Sequence, residues 1–433
     1  MDVQSFFDFV AASPSAFHAC REACRQLAAA GYTPLNEFEP WAVQPGGKYY
    51  VTRNASSVIA FRVPEAGLAP FQIVASHSDS PVFKLKPKAE ETKLDRYVRL
   101  NVEKYGGMIM STWLDRPLSI AGRVLVKVDG HVQTMMVDLA RDAVLIPNMP
   151  IHFNRDMNDG FKFDPQVDLL PLYGDGASAG GLAVEIARQC GVKKEDVVAS
   201  DLFLYNRMPG TQWGAEGEFI SCPRIDDLEC AFTSLMAFIR AEKPDNTAVY
   251  ALFDNEEVGS RTKQGADSSF LTDVLFRLCA ALGADDAETR QMIAASFMVS
   301  ADNAHAVHPN HPEKYDADNR TWMNEGVVIK HNANQAYTTD AVSDAVFTCI
   351  CEKAGVPVQH FSNLSNLAGG STLGNIANTH VSINTVDIGL AQLAMHSSYE
   401  TAGAKDLTYM TDALRKFYET TIRFQMDGLF TLA

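Results

Sequence analysis

With 433 residues, 46 % of them apolar and 21 % charged, the chain has the balance of a soluble globular protein and the length for a large core, expected as two domains. Its net charge of −16 argues against binding nucleic acid or an anionic membrane through bulk electrostatics, though it leaves room for a local basic pocket. The eight cysteines are sparse and lack the paired C-x-x-C spacing of a structural zinc site, so they read as reduced thiols.

The N-terminal stretch carries Asp2 and Asp8 and lacks a basic region leading into an uninterrupted apolar run, so a signal peptide is not expected. No run approaches the ~18–20 apolar residues that span a bilayer, and a cytoplasmic location is the expectation. Ser13-Pro14 predicts an N-cap with proline at the first helical position, and Gly31 predicts the end of that helix. "FQIVA" (71–75) is a continuous apolar run of strand length, followed at once by His77 and Asp79.

From about 90 to 222 the texture changes. "VLVKVDGHVQTMMV" predicts a hairpin turning at Asp129-Gly130, followed by the proline-rich "IPNMPIHFNRD" and the helix "GGLAVEIARQCG". This region reads as an inserted β-rich domain, residues 90–222, which divides a catalytic domain into segments 1–89 and 223–433.

Beyond it the earlier rhythm returns. "RIDDLECAFTSLMAFIRAEK" (224–243) has helical spacing, with Asp226 or Asp227 as its N-cap. "TAVYALF" (247–253) leads into Asp254, Glu256 and Glu257, and "SFMVS" (296–300) into Asp302, His305 and His308. "HVSINTVDIG" (380–389) precedes His396, and helices are predicted over 338–355 and 411–424. The glycine-rich "AGGSTLGNI" (368–376) matches neither phosphate-binding fingerprint, and the chain has no G-x-S-x-G elbow.

Four predicted strands, each followed by His, Asp or Glu, point to one shared site, because ligands of α/β sheets bind outside the carboxyl ends of the strands. Three carboxylates crowded at Asp254, Glu256 and Glu257 need a positive partner. His77, Asp226, Glu256, Glu257, Asp302 and His396 combine hard oxygens with two imidazoles, a mixture suited to zinc, cobalt or manganese. The set is too rich in carboxylates for one structural zinc, and two divalent ions about 3.5–4 Å apart would absorb it. Three ligand carboxylates and one hydroxide offset two such ions. One of the paired glutamates is then free to move a proton.

"ASHSDSP" (75–81), "PRIDDL" (223–228), "DNEEVGS" (254–260), "SADNAHAVHPN" (300–310) and "MHSSYE" (395–400) together resemble the motifs of the aspartyl aminopeptidases, through nearly the whole chain. That resemblance implies a zinc-exopeptidase-like α/β fold, a mixed sheet flanked by helices and interrupted by a dimerisation domain. It implies two Zn2+ per subunit, replaceable by Co2+ or Mn2+, with His77, Asp226, Glu257, Asp302 and His396 as ligands. Asp226 would bridge the ions, Asp227 would stay outside the site, Asp79 would orient His77, and Glu256 would be the general base.

The resemblance further implies a homo-oligomer, a tetrahedral dodecamer, in which His152 reaches the active site of a neighbour. Lys330, Tyr337 and His305 would contact the substrate, Lys330 by attracting an acidic side chain that a neutral one could not replace. The implied substrates are peptides with N-terminal Asp or Glu. Leu364, Asn366 and Tyr399 stand where relatives of this family commonly carry Arg, Asp and Arg. Rival readings are a metallohydrolase for neutral N-terminal residues or N-acyl amino acids, and a non-catalytic scaffold of the same fold, against which an intact Glu256 argues.

Overall fold

The computed structural model describes residues 2–242 and 245–433, and its architecture follows from which apolar runs must be covered on both faces. Helices α1 (Val3–Ala12) and α2 (Ala16–Ala29) open the chain, followed by strands β1 (Thr33–Leu35), β2 (Lys48–Arg53), β3 (Ser57–Arg62) and β4 (Phe71–His77). Ser13 closes α1, its N–H bonded to the Val10 carbonyl at 3.1 Å, and Ser15 rather than Ser13 stands at the start of α2. The expected cap is therefore displaced by two residues, because residue 13 is still engaged with the helix before it.

The chain then builds a second sheet from β5 (Val82–Lys93), β6 (Tyr97–Tyr105), β7 (Leu118–Val128), β8 (His131–Asp138), β9 (Leu172–Asp175) and β10 (Val197–Asn206), with α3 (Gly181–Cys190) packed on it. Its order is β8-β7-β10-β5-β6-β9, and its paired strands run antiparallel. The β7–β8 turn is the expected one: Val128 faces His131, and Asp129 and Gly130 take φ of +47° and +80°, the left-handed pair a two-residue hairpin requires.

The expected boundary at 89/90 falls inside β5, whose pairing with β6 already starts at Val82. At the other end, β11 (Thr211–Trp213) and β12 (Phe219–Cys222) leave the second sheet and join a five-stranded one, because β12 finds its partner in β20 (Glu400–Gly403).

After α4 (Ile225–Arg240), β13 (Thr247–Phe253), α5 (Phe270–Ala281), α6 (Asp286–Ala294) and β14 (Phe297–Ala301) return to the first sheet, and β15 (Ala304–His305) goes to the five-stranded one. The first sheet is completed by β16 (Val327–His331), β17 (Val358–Ser362) and β18 (Asn384–Gly389), and α7 (Ala341–Ala354) and α8 (Leu373–Ala377) lie between them in sequence. Its order is β1-β2-β3-β13-β4-β14-β18-β16-β17, a mixed sheet whose centre, β13-β4-β14-β18, is parallel.

Both faces of that centre are buried, which is why its strands read as continuous rather than alternating apolar runs. On β4, Val74 joins a core with α1, α2, α4, α7 and α9 (Asp406–Glu419), while Ile73 and Ala75 join an opposite core with α5 and α8.

The helices predicted over 224–243, 338–355 and 411–424 are all present with shifted boundaries, the second of them as α7. The helix predicted over 224–243 is α4; Lys243 lies outside the described residues. The helix predicted over 411–424 is α9, which starts earlier and ends at Glu419, because the following Thr420-Thr421-Ile422 is a β-branched run that enters strand β21 (Ile422–Met426). Among the described residues no helix is long and apolar enough to cross a membrane.

Candidate metal centre

The carboxyl ends of β4, β13 and β14 converge, and with them the acidic turns that follow. His77, the last residue of β4, is 1 % exposed. Its Nε2 stands 3.4 Å from Asp226 Oδ1, and its Nδ1 lies 3.1 Å from the Asp79 carbonyl oxygen and 3.4 Å from Asp79 Oδ1. Asp226 Oδ2 is in turn 3.3 Å from His396 Nε2, and that nitrogen is 3.3 Å from Glu257 Oε1. The two oxygens of one buried carboxylate thus face two different imidazoles. Donor atoms fall into overlapping groups within 4.8 Å: His77 with Asp226, Asp227 and Asp302; His77 with Glu256 and Glu257; Asp226 with Glu257 and His396.

Local structure holds these groups in place. Asp226 and Asp227 sit at the start of α4 with non-helical backbone (ψ of 110° and 23°), so neither acts as the helix cap that sequence spacing suggests. Asp79 collects the opposite side of the site. Its Oδ1 accepts the Glu256 N–H at 3.1 Å, and its Oδ2 accepts the Glu257 N–H at 3.2 Å and the Tyr105 hydroxyl at 2.7 Å. The Tyr105 oxygen accepts from Asn255 Nδ2 at 2.7 Å, while Asn255 Oδ1 accepts from Thr262 and Gln264. Asn255 has φ +65°, a conformation an asparagine tolerates better than most residues, so the paired glutamates follow a tightly fixed turn.

Glu400 fixes the far side: it accepts the Asp226 N–H at 3.0 Å and the His396 N–H at 2.7 Å. His396 Nδ1 meets the Gly107 carbonyl at 2.5 Å, a contact that fixes the ring and leaves Nε2 directed at the carboxylates. The preceding Gly106 is needed at that approach, having φ +75° and room for a Cβ only 3.2 Å from Glu257 Cβ.

With the protein's own charges alone, the cluster is short of positive charge. Burial would lift Asp226, but contact with His396 and His77 outweighs it and holds the carboxyl well below its usual range. Burial pushes Glu256 up to about 9, aided by Asp302 and Glu257 and only partly opposed by His77. Burial likewise lifts Glu257 to about 7. His396 would be lowered by burial, yet Asp226 and Glu257 raise it to about 11. Asp226 Oδ1, Asp227 Oδ1 and Glu257 Oε1 are buried and receive no well-formed hydrogen bond from the described residues. Orphaned anionic oxygens facing imidazole nitrogens suit divalent cations, and this donor set fits them.

All six residues expected to act together therefore meet, with Asp79 beside them. Asp227, expected to stay outside, lies within: it is fully buried, and its Oδ2 accepts the His77 N–H at 3.0 Å, because the non-helical backbone directs both aspartates inward. Lys330 also differs from expectation. It is not left unpaired without a substrate, since its Nζ lies 3.7 Å from Asp302 Oδ1, 3.0 Å from the Asn303 carbonyl and 5.4 Å from the centre of the Tyr337 ring.

Tyr337 is buried, whereas the His305 side chain is exposed and edge-on to Phe361 at 6.1 Å. His152 is exposed in the turn at 151–153, beside Phe153 at 83 % exposure. The Tyr399 hydroxyl donates to the Pro209 carbonyl at 2.7 Å, a packing role within the chain.

Sequence reasoning missed Tyr105, Asn255, Gly107 and Glu400. Glu400 stood in plain view, four residues after His396 in "MHSSYE". Tyr105 and Gly107 gave no signal, because they come from the end of β6, a strand of the second sheet, and from the bend that follows it.

Comparison with known proteins agrees with this geometry. Residues 9–418 match the family described as aminopeptidase I zinc metalloprotease (M18). A probable M18 family aminopeptidase 2 of Clostridium acetobutylicum is 44 % identical over 423 residues, covering 96 % of this chain and 98 % of the relative. A chain of the cryo-EM structure of the Ape4 and Nbr1 complex superposes with a TM-score of 0.91 at 34 % identity, covering 96 % of this chain and 85 % of that one. The S. cerevisiae mApe1 dodecamer gives 0.84 at 28 %, covering 96 % and 95 %. A buried His–carboxylate centre on this mixed sheet and a family match along almost the entire chain lead to one assignment: the chain belongs to the M18 family of zinc aminopeptidases.

Proposed function

We propose that the protein is a dinuclear zinc aminopeptidase that removes N-terminal residues from peptides, favouring Asp and Glu. The observation that carries this reading is Asp226, whose Oδ1 and Oδ2 face His77 and His396 at 3.4 and 3.3 Å, the arrangement of a carboxylate shared between two cations. Asp226 would bridge, His77 and Asp302 would complete one ion's shell, and Glu257 and His396 the other's. Bound zinc supplies Lewis acidity toward a peptide carbonyl and makes water a nucleophile near neutral pH.

The chain's own residues do the rest. Glu256 takes the proton of the attacking water and returns it to the leaving amine. Asp79 keeps the His77 ring and the Glu256–Glu257 backbone in register with each other. Lys330 is the positive group nearest Asp302 and the one we assign to an acidic substrate side chain, with Tyr337 walling the same position and His305 at its rim.

Assembly belongs to the same proposal. The second sheet is read as a dimerisation unit, with twelve chains as the active form and His152 reaching a neighbour's site. The mApe1 relative is itself a dodecamer, and the exposed apolar side chains Met149, Ile151 and Phe153 flank His152. We place the protein in the cytoplasm, consistent with eight free cysteines.

The deciding experiment measures zinc per chain together with activity on Asp- and Leu-terminal peptides, with and without chelator. Two zincs per chain and chelator-sensitive cleavage favouring Asp are expected; one zinc, or activity untouched by complete metal removal, would overturn the reading. Replacing Lys330 by Ala should remove most of the Asp-over-Leu preference in kcat/KM while sparing activity on Leu. Unchanged ratios would take Lys330 out of the substrate site.

A further inference from the structure

Among the described residues, one more set of potential metal-binding side chains converges outside the catalytic centre. His331 ends β16, His360 lies on the adjacent parallel strand β17, and Asp344 sits in the first turns of α7. Ile329 is the register partner of His360, so the two histidines are diagonal neighbours on adjoining strands. His331 Nε2 is 3.1 Å from His360 Nδ1, Asp344 Oδ2 is 3.5 Å from the former and 3.7 Å from the latter. Ligands held about 2.0–2.2 Å from one tetrahedral zinc stand roughly 3.2–3.6 Å apart, which is the scale of this triangle.

The carboxylate is also oriented for the task. Asp344 Oδ1 accepts the Thr348 hydroxyl at 2.9 Å, one helical turn on, and this leaves Oδ2 directed at the two ring nitrogens. The pocket is open: the His331, His360 and Asp344 side chains are 32 %, 45 % and 23 % exposed, so an ion could reach it from solvent and keep water in its remaining position. Side chains alternate across a strand, so Lys330, which points at Asp302, and His331 lie on opposite sides of β16. The triad is therefore separate from the catalytic centre and shares none of its residues.

We propose that His331, His360 and Asp344 form a peripheral site for a divalent transition metal, zinc by donor set and geometry, that ties β16 and β17 to the start of α7. Two imidazoles and one carboxylate suit Zn2+, Co2+ or Ni2+ and discriminate against Mg2+ and Ca2+, which prefer all-oxygen shells. The site would fill after the catalytic one, since it has three ligands, none buried, and it would act as a brace.

The test uses holoenzyme whose catalytic metal is already in place. Titration with zinc alone, followed by calorimetry, should show one further site per chain in the native protein. In His360→Ala and in Asp344→Asn that binding should weaken by roughly tenfold or more, while kcat on the best peptide stays at the native value. Excess zinc should raise the Tm of the native protein and not of His360→Ala, and Mg2+ should do neither. Identical zinc titrations in native protein and both variants would overturn the site, leaving the triad as a hydrogen-bonded histidine pair. Because the readout is the additional metal, its failure is distinct from a failure of the aminopeptidase reading, which rests on the catalytic metal and on peptide cleavage.

Discussion

Acidic side chains are treated differently in the two large sheets. In the second sheet, Asp201 lies 2.9 Å from both Lys84 and Arg123 and Glu91 lies 3.1 Å from Arg99, and on the helix packed against that sheet Glu185 accepts two hydrogen bonds from Arg141. Burial alone would lift Asp201, but Lys84 and Arg123 hold it below its usual value, and Arg141 does the same for Glu185. Where the carboxyl ends of β4, β13 and β14 meet the start of α4, the five carboxylates Asp226, Asp227, Glu256, Glu257 and Asp302 face two imidazoles and Lys330, and burial drives Glu256 and Glu257 upward. A carboxylate with a structural task is satisfied from within the chain. The centre leaves its carboxylates for a partner that the polypeptide does not supply.

The sharpest way to break that contrast is to separate the paired glutamates. With Glu256 as proposed base and Glu257 as proposed ligand, Glu256→Gln should keep its zinc and lose about 10²–10⁴ in kcat. Glu257→Gln should lose zinc as well as activity. Equal zinc loss in both, read by elemental analysis, would show that the two do not divide the work in this way.

A second, smaller effect follows from the opposite signs of the shifts. Glu256 and Glu257 are raised from 4.5 to about 9 and about 7, so without metal the folded chain binds more protons than the unfolded one between those values. Their contribution to stability is present below about pH 4.5 and is lost as pH rises through the raised values. Asp201 and Glu185 are lowered, so theirs is present at neutral pH and is lost in acid. Chelator-treated protein should therefore lose several degrees of Tm between pH 5 and 9 relative to zinc-loaded protein. Parallel Tm profiles for the two forms would contradict the assignment of these carboxylates to the metal.

The parallel strands and the polar residues after them were legible because burial on both faces makes continuous apolar runs, and because sheet ends are where ligands sit. His77, Glu256, Glu257 and Asp302 all follow such runs directly. His396 follows β18 at a distance, across β19 (Ala391–Leu393), and Asp226 looked like a helix cap; both belonged to the candidate metal set, but their separate ligand roles came only with the motif resemblance. What could not be read was long-range: Tyr105 lies 26 residues from Asp79 in sequence, and Gly107 lies 289 from His396. The pairing of Lys330 with Asp302 was equally hidden, since a lysine ending an apolar strand signals neither a free nor a paired charge.

Tyr105 is where the two sheets meet chemically, so it sharpens the comparison at an intermediate scale. Tyr105→Phe removes a hydroxyl donor to Asp79 and strands Asn255 Nδ2, while the ring can keep its edge-on contact with Phe203. A hydrogen bond to a charged group contributes about 1.5–3 kcal/mol, which corresponds to roughly 10–100-fold if it is felt wholly in the transition state. Lower kcat with little change in KM and retained zinc is expected. A loss of zinc instead would mean that Tyr105 serves to assemble the centre.

The smallest effect belongs to a pair that resembles the centre only in being ionic. Arg141 and Glu185 meet through two hydrogen bonds, at 3.0 and 2.5 Å, yet the arginine side chain is 48 % exposed, so water and salt screen the attraction. Arg141→Ala should cost at most about 1 kcal/mol in a denaturant titration, less in high salt, because Glu185 regains hydration when its partner is removed. The buried oxygens of Asp226 and Glu257 have no such recourse. Activity of Arg141→Ala should match the native enzyme. A large loss of activity or zinc would mean that the second sheet's ion pairs reach the centre and that the two regions are not separable.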